Sequence, residues 1–450
     1  MSGLEAPREH RASSRDLALS VVRDVFGPEL RGAQASFAVR ARRTSLDARD
    51  RAFAADLAYG SIKMRRLIDW YLVPYLGDRK KSLPTAILEI LRLGVYQLRV
   101  MDGVDDHAAV YETVSLALRY GHKGTAGLVN AILRRIAAEP PAEPERAAFE
   151  SDDDYLGTRY SLPTWVVTQL RGRFEDRLDE VLAGLAAAPQ HAVRVNERAL
   201  SIEAAESELA GHDLVIRRST LAGDVLLDTG STPDDAAGRW FVQSESSAIP
   251  VDLLALQPGE RVADLCSGRG KKSAQIGARL EDRGAVYCVE KDVRKRPSLE
   301  RTLALAGIGI ASIVIGDATQ PLDLPPVDAV LVDAPCSGLG VLGRHPEARW
   351  RKRPDDGERL AETQSAILER AATYLRPGGR LVYSVCSTDP REGTERIDGF
   401  LHAHPEFARA PLPERFAAFA RVGDLVIPPG IEGRDGFTIV RLDRAAGPVA

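Results

Sequence analysis

The stretch from Arg261 to Glu290 reads RVADLCSGRGKKSAQIGARLEDRGAVYCVE and contains one complete strand–helix–strand unit. Apolar and β-branched residues predict strands over 261–265 and 285–290, and apolar residues at helical spacing predict a helix over 272–280. The pattern repeats downstream, where we predict three more strands and another helix: strands 311–315, 329–332 and 380–385, and helix 359–374. This alternation is typical of an α/β fold built on a mostly parallel, doubly wound sheet.

The rest of the chain divides into regions of different character. Apolar residues at helical spacing run through residues 10–138, which predicts an all-α domain. Prolines and charges interrupt that pattern over 139–160, and we predict a linker there. Residues 161–247 mix short helical and strand patterns, so we predict a small α+β module before the α/β domain at 248–445. A length of 450 residues agrees with several domains.

The charge of the chain is unevenly distributed. Lys and Arg number 60 and Asp and Glu number 64, for a formal net charge of −4. Residues 1–140 nevertheless carry 22 basic and 16 acidic residues. A basic segment attached to an acidic body favours a polyanionic partner, and the alternative is chance asymmetry of the surface.

The composition predicts a cytoplasmic protein without a membrane-spanning segment. No apolar run approaches the roughly 18 residues that a transmembrane helix needs. The polar N-terminus lacks the apolar centre of a signal peptide. The chain has four cysteines, Cys266, Cys288, Cys336 and Cys386. So few cysteines exclude a disulfide-based scaffold and favour a reducing compartment.

Ligands of doubly wound sheets bind beyond the carboxyl ends of the strands, so the loops there carry the function. The first such loop contains Gly268 and Gly270, which permit a tight turn and close backbone approach to a ligand. It is not a P-loop, because Lys272 stands where Ser or Thr is required. Ser273 likewise departs from the dinucleotide-binding pattern. The loop is therefore either a nucleotide-cofactor loop or a purely structural turn.

Three acidic residues lie at the ends of successive strands: Asp264, Glu290 and Asp317. Glu290 stands at the distance from the glycine loop at which an acid accepts hydrogen bonds from ribose hydroxyls. Asp317 is positioned to bind an adenine amino group. The three acids together favour an adenosine-bearing ligand with little phosphate, rather than three helix caps or surface charges. S-adenosylmethionine fits better than NAD, because it has no pyrophosphate.

The loops after the fourth and fifth strands each contain a cysteine. They read Asp333-Ala-Pro-Cys336-Ser-Gly-Leu-Gly and Cys386-Ser-Thr-Asp-Pro-Arg-Glu392-Gly. Two thiols at neighbouring strand ends suit nucleophilic catalysis, since a partly exposed cysteine near positive charge is held as thiolate. Two buried core cysteines are an alternative. A zinc pair is another, but no further ligands stand nearby at metal spacing, and we expect no metal.

These motifs resemble the RNA 5-methylcytosine methyltransferases of the Sun/RsmB (Fmu) family, which carry an N-terminal NusB-like domain. The resemblance rests on the two cysteine loops and on residues 344–350 between them. Residues 10–138 resemble the NusB-like domain, in the stretches 94–98, 107–114 and 127–135. The resemblance implies a Rossmann-like, S-adenosylmethionine-dependent methyltransferase domain preceded by an RNA-binding helical domain.

The resemblance also implies a reaction, the methylation of cytosine C5 in small-subunit ribosomal RNA. Cys386 would be the nucleophile that adds to C6, Asp333 would hydrogen-bond the N3 edge, and Cys336 would assist breakdown of the adduct. The target would lie in a single-stranded or loop region, because a stacked base cannot enter the crevice. We expect a monomer.

The resemblance further implies two sets of contact residues. The cofactor contacts would be Asp264, Cys266, Ser267, Gly268, Gly270, Lys272, Glu290, Asp317 and Asp333. The substrate contacts would be Lys272, Pro335, Arg344 and His345.

The first loop departs from the family pattern Asp-x-Cys-Ala-Ala-Pro-Gly-Gly-Lys-Thr. Arg269 replaces a proline and Lys271 replaces a glycine, and a side chain at 271 would hinder approach to the methionine part of the cofactor. The alternative function is therefore a non-catalytic RNA-binding or ribosome-assembly factor with a relict methyltransferase fold. Retention of Cys336, Cys386 and Asp333 argues against it. A DNA cytosine methyltransferase would use the fourth-strand cysteine as nucleophile and would not need Cys386.

Overall fold

The computed structural model describes residues 13–28, 30–77, 82–210, 215–230 and 234–447. The described residues form two compact units. Unit 1 contains those up to Arg171 together with His345–Arg351, and unit 2 contains Gly172–Arg344 and those from Lys352 onward. Parts of two predicted regions lie outside the described residues: 10–12, 29 and 78–81 of the all-α domain, and 211–214 and 231–233 of the α+β module.

Unit 1 is helical. The described helices that contribute to it are α1 (Ser14–Phe26), α2 (Ala33–Ala41), α3 (Ala48–Lys63), α4 (Arg65–Leu76), α5 (Thr85–Arg99), α6 (Asp106–Tyr120), α7 (Lys123–Ala138), α8 (Asp152–Arg159), the larger part of α9 (Thr164–Phe174) and α15 (Ala348–Arg351). Ser13 and Asp16 form a capping box at α1, and Asp105 caps α6. Apolar residues of α1, α3, α5 and α7 share one core. The segment 139–160, expected to be a linker, contains α8.

The short helix α15 brings a segment from far downstream into unit 1. The Arg349 side chain is fully buried and donates to the carbonyl of Ser161 over 3.1 Å. Trp350 donates from Nε1 to the carbonyl of Ile62 over 2.7 Å. Burial lowers the pKa of Arg349 to about 9. Unit 1 is thus discontinuous in sequence, which the sequence pattern did not predict.

Unit 2 begins with a small antiparallel sheet. Its strands and neighbouring helices are α10 (Leu178–Ala186), β1 (Ala192–Val195), α11 (Ile202–Ala210), β2 (Arg217–Arg218), β3 (Val225–Leu227) and β4 (Trp240–Val242). The described strands follow the order β2–β3–β1–β4. These elements account for the mixed pattern of residues 161–247.

A larger sheet forms the rest of unit 2. Its strands and helices are α12 (Glu245–Leu253), β5 (Arg261–Asp264), α13 (Lys271–Arg279), β6 (Ala285–Glu290), α14 (Arg296–Leu305), β7 (Ala311–Ile315), β8 (Val327–Asp333), α16 (Asp356–Tyr374), β9 (Leu375–Val385), α17 (Thr394–Ala403), β10 (Phe407–Arg409), β11 (Ala420–Arg421), β12 (Asp424–Ile427) and β13 (Phe437–Arg444). The order is β11–β12–β13–β9–β8–β5–β6–β7, with β10 paired to β13. Strands β5 to β9 are parallel, and β10 to β13 pair antiparallel.

Helices cover both faces of the larger sheet. Val262 belongs to a core shared with α13 and α14, whereas its neighbour Ala263 belongs to a core shared with α16. This confirms the predicted α/β, doubly wound fold. The antiparallel strands after residue 385 were not predicted. Within the described residues, no helix is both long and apolar enough to cross a membrane.

Candidate active site

A buried carboxylate and two glycines form the turn after β5. Asp264 is fully buried and accepts hydrogen bonds from Ser273 Oγ at 2.6 Å and from the Cys266 backbone N–H at 3.4 Å. Burial raises the pKa of Asp264 to about 6, and the Ser273 hydrogen bond opposes that shift. Gly268 and Gly270 have φ angles of +58° and +86°, which side chains rarely permit. The passage from β5 into α13 therefore favours glycine at both positions, most strongly at 270, where a Cβ would also lie 2.5 Å from Leu299 Cδ1.

A cavity of about 560 Å³ opens beyond the carboxyl ends of β5, β6 and β7. Its lining residues are Leu265, Cys266, Gly268, Glu290, Lys291, Asp292, Arg294, Lys295, Gly316, Asp317, Ala318, Asp333, Pro335, Leu360, Thr363 and Ile367. The volume lies in the range of small-molecule sites, and one wall is apolar through Leu360 and Ile367. Five of the predicted cofactor residues line it: Cys266, Gly268, Glu290, Asp317 and Asp333. The predicted residues Asp264, Ser267, Gly270 and Lys272 are not part of the lining.

The cavity carboxylates are held by basic side chains on its rim. Lys295 Nζ lies 3.2 Å from Glu290 Oε1, and the Asp292 backbone N–H donates to the same oxygen at 2.7 Å. Lys291 Nζ lies 2.6 Å from Asp317 Oδ2 and lowers the pKa of that carboxyl. Both acids can therefore present carboxylate oxygens to hydrogen-bond donors inside the cavity.

The Lys271 side chain does not enter this cavity. Its Nζ donates to the carbonyl of Val242 at 2.5 Å and to Asp234 Oδ1 at 3.0 Å, both in the region of β4. These contacts hold the Lys271 side chain against the region of β4 and away from the cavity. The Lys271 side chain therefore lies outside the cavity that it was expected to obstruct, and Arg269 is exposed to solvent.

The two predicted catalytic thiols are neighbours. Cys336 follows β8 and Cys386 follows β9, two parallel strands in register from Ala329 to Asp333. Their Sγ atoms lie 3.2 Å apart, and both thiols are free. On the same sheet edge, Lys272 Nζ lies 2.6 Å from Asp333 Oδ2. Burial alone would lower the pKa of Lys272, but the ion pair with Asp333 raises it.

Residues that the sequence analysis did not single out hold the two cysteine loops together. Gln364 of α16 is fully buried and donates from Nε2 to the carbonyl of Pro335 at 3.0 Å. The Gly340 backbone N–H donates to the carbonyl of Cys386 at 3.0 Å. Both loops are consequently tied to each other and to the helix behind them.

The loop before β13 also reaches this site. The Gly436 backbone N–H donates to the carbonyl of Gly340 at 2.7 Å, and the Phe437 ring centroid lies 5.9 Å from Lys272 Nζ. Thr438 Oγ1 donates to the carbonyl of Ser387 at 2.9 Å. The sequence contained a signal here, since an Asp-Gly pair precedes a run rich in strand-forming residues.

Comparisons with known proteins identify the family. The profile of the family described as 16S rRNA methyltransferase RsmB/F matches residues 251–443, and that of the NusB family matches residues 12–138. The "Ribosomal RNA small subunit methyltransferase B" of Thermus thermophilus is 36% identical over 404 residues, which span 90% of this chain and 91% of that protein. The chain belongs to the RsmB/F methyltransferase family.

Solved structures support the fold of this RsmB/F methyltransferase. The crystal structure of PH0851 has a TM-score of 0.81 at 23% sequence identity, covering 98% of this chain and 100% of that one. The structure of NSun6 from Pyrococcus horikoshii with SFG has a TM-score of 0.56 at 17% identity, covering 63% of this chain and 99% of that one. Both similarities show the fold alone.

S-adenosylmethionine is the cofactor of this methyltransferase, as predicted. The cavity suits it, because Glu290 and Asp317 offer acceptors for hydroxyl and amino groups, and Leu360 and Ile367 offer an apolar wall for a ring. The absence of a P-loop agrees with a cofactor that has no phosphate. Within the described ranges, no group of His, Cys, Asp or Glu side chains is arranged to hold a metal ion.

The predicted substrate contacts lie in different surroundings. Pro335 is exposed on the cavity wall. The Nε atom of Arg344 lies 3.1 Å from a carboxylate oxygen of Asp435, and its Nη2 donates to the carbonyl of Gln190 at 3.0 Å. Those contacts anchor Arg344 within unit 2, and His345 belongs to unit 1. The roles of these residues in substrate binding stay predictions.

Proposed function

We propose that this RsmB/F methyltransferase methylates C5 of a cytosine in small-subunit ribosomal RNA, through a covalent bond between Cys386 and C6 of the base. The observation that carries the proposal is the pair of free thiols, 3.2 Å apart, beside the cofactor cavity. A methyltransferase that acted on a more nucleophilic atom would need no thiol. The adjacent Lys272–Asp333 ion pair supplies the polar groups that a base edge requires.

The chemistry of cytosine explains why a thiol is needed. C5 of the ring is a weak nucleophile, whereas addition of the Cys386 thiolate to C6 pushes an electron pair toward C5. S-adenosylmethionine supplies the methyl group that C5 then takes. A base then removes the C5 proton. The electron pair of the C5–H bond forms the C5–C6 double bond again, and the bond between Cys386 and C6 breaks with its electron pair returning to sulfur. The thiolate is regenerated and the aromatic ring is restored.

The neighbouring residues have separate roles in this proposal. Asp333 hydrogen-bonds the N3 edge of the base and favours its protonation as charge develops during addition. Lys272 holds the Asp333 carboxylate in place over 2.6 Å. Cys336 lies close enough to Cys386 to assist the release of the adduct.

The proposed substrate agrees with other properties of the chain. The relative from Thermus thermophilus is named for the small-subunit rRNA, and the N-terminal segment that matches the NusB family is the basic part of the chain. The target cytosine would be unpaired, because C6 must be exposed to the thiol. Free thiols and an rRNA substrate both agree with the cytoplasmic location expected from the sequence.

The test is methyl transfer from labelled S-adenosylmethionine to unmodified small-subunit rRNA. Wild type should label cytosine C5, Cys386→Ala should abolish transfer, and Cys336→Ala should accumulate a protein–RNA adduct that survives denaturant. Cys288→Ala is the control for loss of another buried thiol: its side chain contacts Ser267 and Ser273 of the loop after β5, so the variant should neither abolish methyl transfer nor accumulate the adduct. An adduct formed by Cys386→Ala would contradict the assignment of the nucleophile. RNA binding without any methyl transfer would support the non-catalytic alternative.

A further inference from the structure

The carboxylate of Glu392 lies buried behind the two cysteine loops. Its side chain is inaccessible to solvent. Oε1 accepts the backbone N–H of Ser337 at 2.7 Å and an amide N–H of Gln364 at 3.1 Å, and Oε2 accepts the Ser337 hydroxyl. Ser337 directly follows Cys336 in the chain. Glu392 therefore fixes the loop that carries Cys336 through both backbone and side-chain contacts.

The hydrogen bonds around Glu392 have one consistent direction. The Asp389 backbone N–H donates to Ser387 Oγ at 3.2 Å, and Ser387 Oγ lies 3.2 Å from Ser337 Oγ, so a hydroxyl proton donated by Ser387 leaves the Ser337 proton for the carboxylate. Ser337 in turn donates to Glu392. Every polar contact of the carboxylate is then with a donor, which is the pattern of an ionised group. A buried negative charge consequently lies beside the Cys336 loop.

The charges that face the two thiols differ. Cys336 faces the Cys386 thiol, the Glu392 carboxylate and the phenol of Tyr383, whose hydroxyl donates to the Glu392 carbonyl at 2.6 Å. Cys386 faces the Lys272 ammonium, which interacts electrostatically with it and is also paired with the Asp333 carboxylate at 2.6 Å. The contact with Cys386, burial and the Glu392 charge raise the pKa of Cys336, and a hydrogen bond with the Gly338 backbone opposes that shift.

We propose that Glu392 is a positioning residue whose buried charge makes Cys386, rather than the adjacent Cys336, the first of the two thiols to ionise. Two thiolates 3.2 Å apart repel each other strongly, so one thiol of the pair keeps its proton. The Glu392 carboxylate beside Cys336 disfavours a thiolate there, and the Lys272 ammonium beside Cys386 favours one, so Cys336 is the thiol that keeps its proton. The proposal rests on the proposed function, because it explains how two similar thiols acquire the different roles of nucleophile and helper.

The test is alkylation of the free enzyme, which needs neither RNA nor cofactor. Brief pulses of iodoacetamide across pH 6–10 are followed by peptide mass spectrometry, which gives a separate rate for each thiol. In wild type, Cys386 should react faster than Cys336 near neutral pH. Glu392→Gln should lower that ratio about fivefold or more by accelerating Cys336, and should shift the pH profile of Cys336 to lower pH.

Two further variants separate charge from packing. Glu392→Asp keeps the charge and Glu395→Gln removes an exposed charge three residues away, so both should keep the wild-type ratio within about twofold. An unchanged ratio in Glu392→Gln would overturn the proposal, as would equal acceleration of both thiols in Glu392→Gln and Glu392→Asp. If the ratio changes as expected while wild type transfers no methyl group to rRNA, the ionisation order stands and the proposed function fails.

Discussion

Asp264 shows how a single buried carboxylate affects stability. Burial raises its pKa to about 6, well above the value of roughly 3.9 for an unfolded chain. The native state therefore holds a proton on Asp264 between about pH 4 and 6 that the unfolded state releases. Consequently, this residue makes the free energy of unfolding fall as pH rises through that window. At neutral pH the ionised Asp264 carboxylate therefore lowers the free energy of unfolding of the native protein.

Replacement of Asp264 should reveal this cost. The side chain at position 264 cannot ionise in the Asp264→Asn variant. The free energy of unfolding of the variant minus that of wild type should therefore rise by about 1–3 kcal/mol when the pH is raised from 4.5 to 7.5. Urea denaturation at the two pH values measures the change, and binding of S-adenosylmethionine should weaken at both. The matched control is Asp323→Asn, since Asp323 is exposed. Equal stability differences at both pH values for Asp264→Asn would contradict the argument.

The sequence predicted well which residues lie together at the sheet edge, but it did not predict the hydrogen-bond partners of individual side chains. Cys336 and Cys386 end neighbouring parallel strands, and strand order alone brings such residues to one edge of a sheet. The direction of the Lys271 side chain was not predictable, because its partners are Val242 of the smaller sheet and Asp234 in the segment before β4. The same holds for Arg344, whose partner Asp435 lies 91 residues away.

At the scale of the element, the local pattern predicted the parallel strands well. The bounds of β6 and β7 were predicted as the structure has them, because both are apolar runs between turn residues. Strands β11 and β12 are two and four residues long, which is too short for a periodic signal. They exist because β12 pairs with β13 and β13 pairs with β9, more than 50 residues upstream. Such non-local pairing leaves no local trace in the sequence.

The loop that carries Cys336 and the loop before β13 touch through Gly340 and Gly436. A Cβ on Gly340 would lie 1.9 Å from the carbonyl oxygen of Gly436. Gly340→Ala should therefore push the loops apart, destabilise the protein by about 1–3 kcal/mol and reduce methyl transfer more than tenfold. Thermal unfolding and a transfer assay at saturating cofactor measure the two effects.

A control in the same segment distinguishes this clash from a general intolerance of alanine. A Cβ on Gly343 would make only ordinary contacts, at 3.9 Å or more from Leu185. Gly343→Ala should consequently retain stability within about 0.5 kcal/mol and most of the activity. Equal losses in both variants would show that the contact between Gly340 and Gly436 is not the reason for the glycine.

At the scale of the whole molecule, the net charge of −4 conceals a basic N-terminal part. Two adjoining cavities on unit 1, both lined by Ser20 and Arg40, carry further basic and aromatic side chains: Arg23, Arg43, Arg119 and Tyr120. Arg40 is paired with Asp24, and Arg119 is paired with Asp16. Arg23 and Arg43 are exposed, which makes them the candidates for phosphate contacts on this surface.

Removal of those two charges should weaken RNA binding in a salt-dependent way. Each phosphate contact contributes about 0.7–0.9 to the slope of log affinity against log salt concentration. The double variant Arg23→Gln/Arg43→Gln should therefore reduce the slope for rRNA by about 1–2, with methyl transfer at saturating RNA within about twofold of wild type. Filter binding between 50 and 300 mM salt measures it, and the exposed Arg301 of unit 2 provides the control Arg301→Gln. An unchanged slope in the double variant would place the phosphate contacts elsewhere, because the loss of a phosphate contact must reduce the number of counterions released on RNA binding.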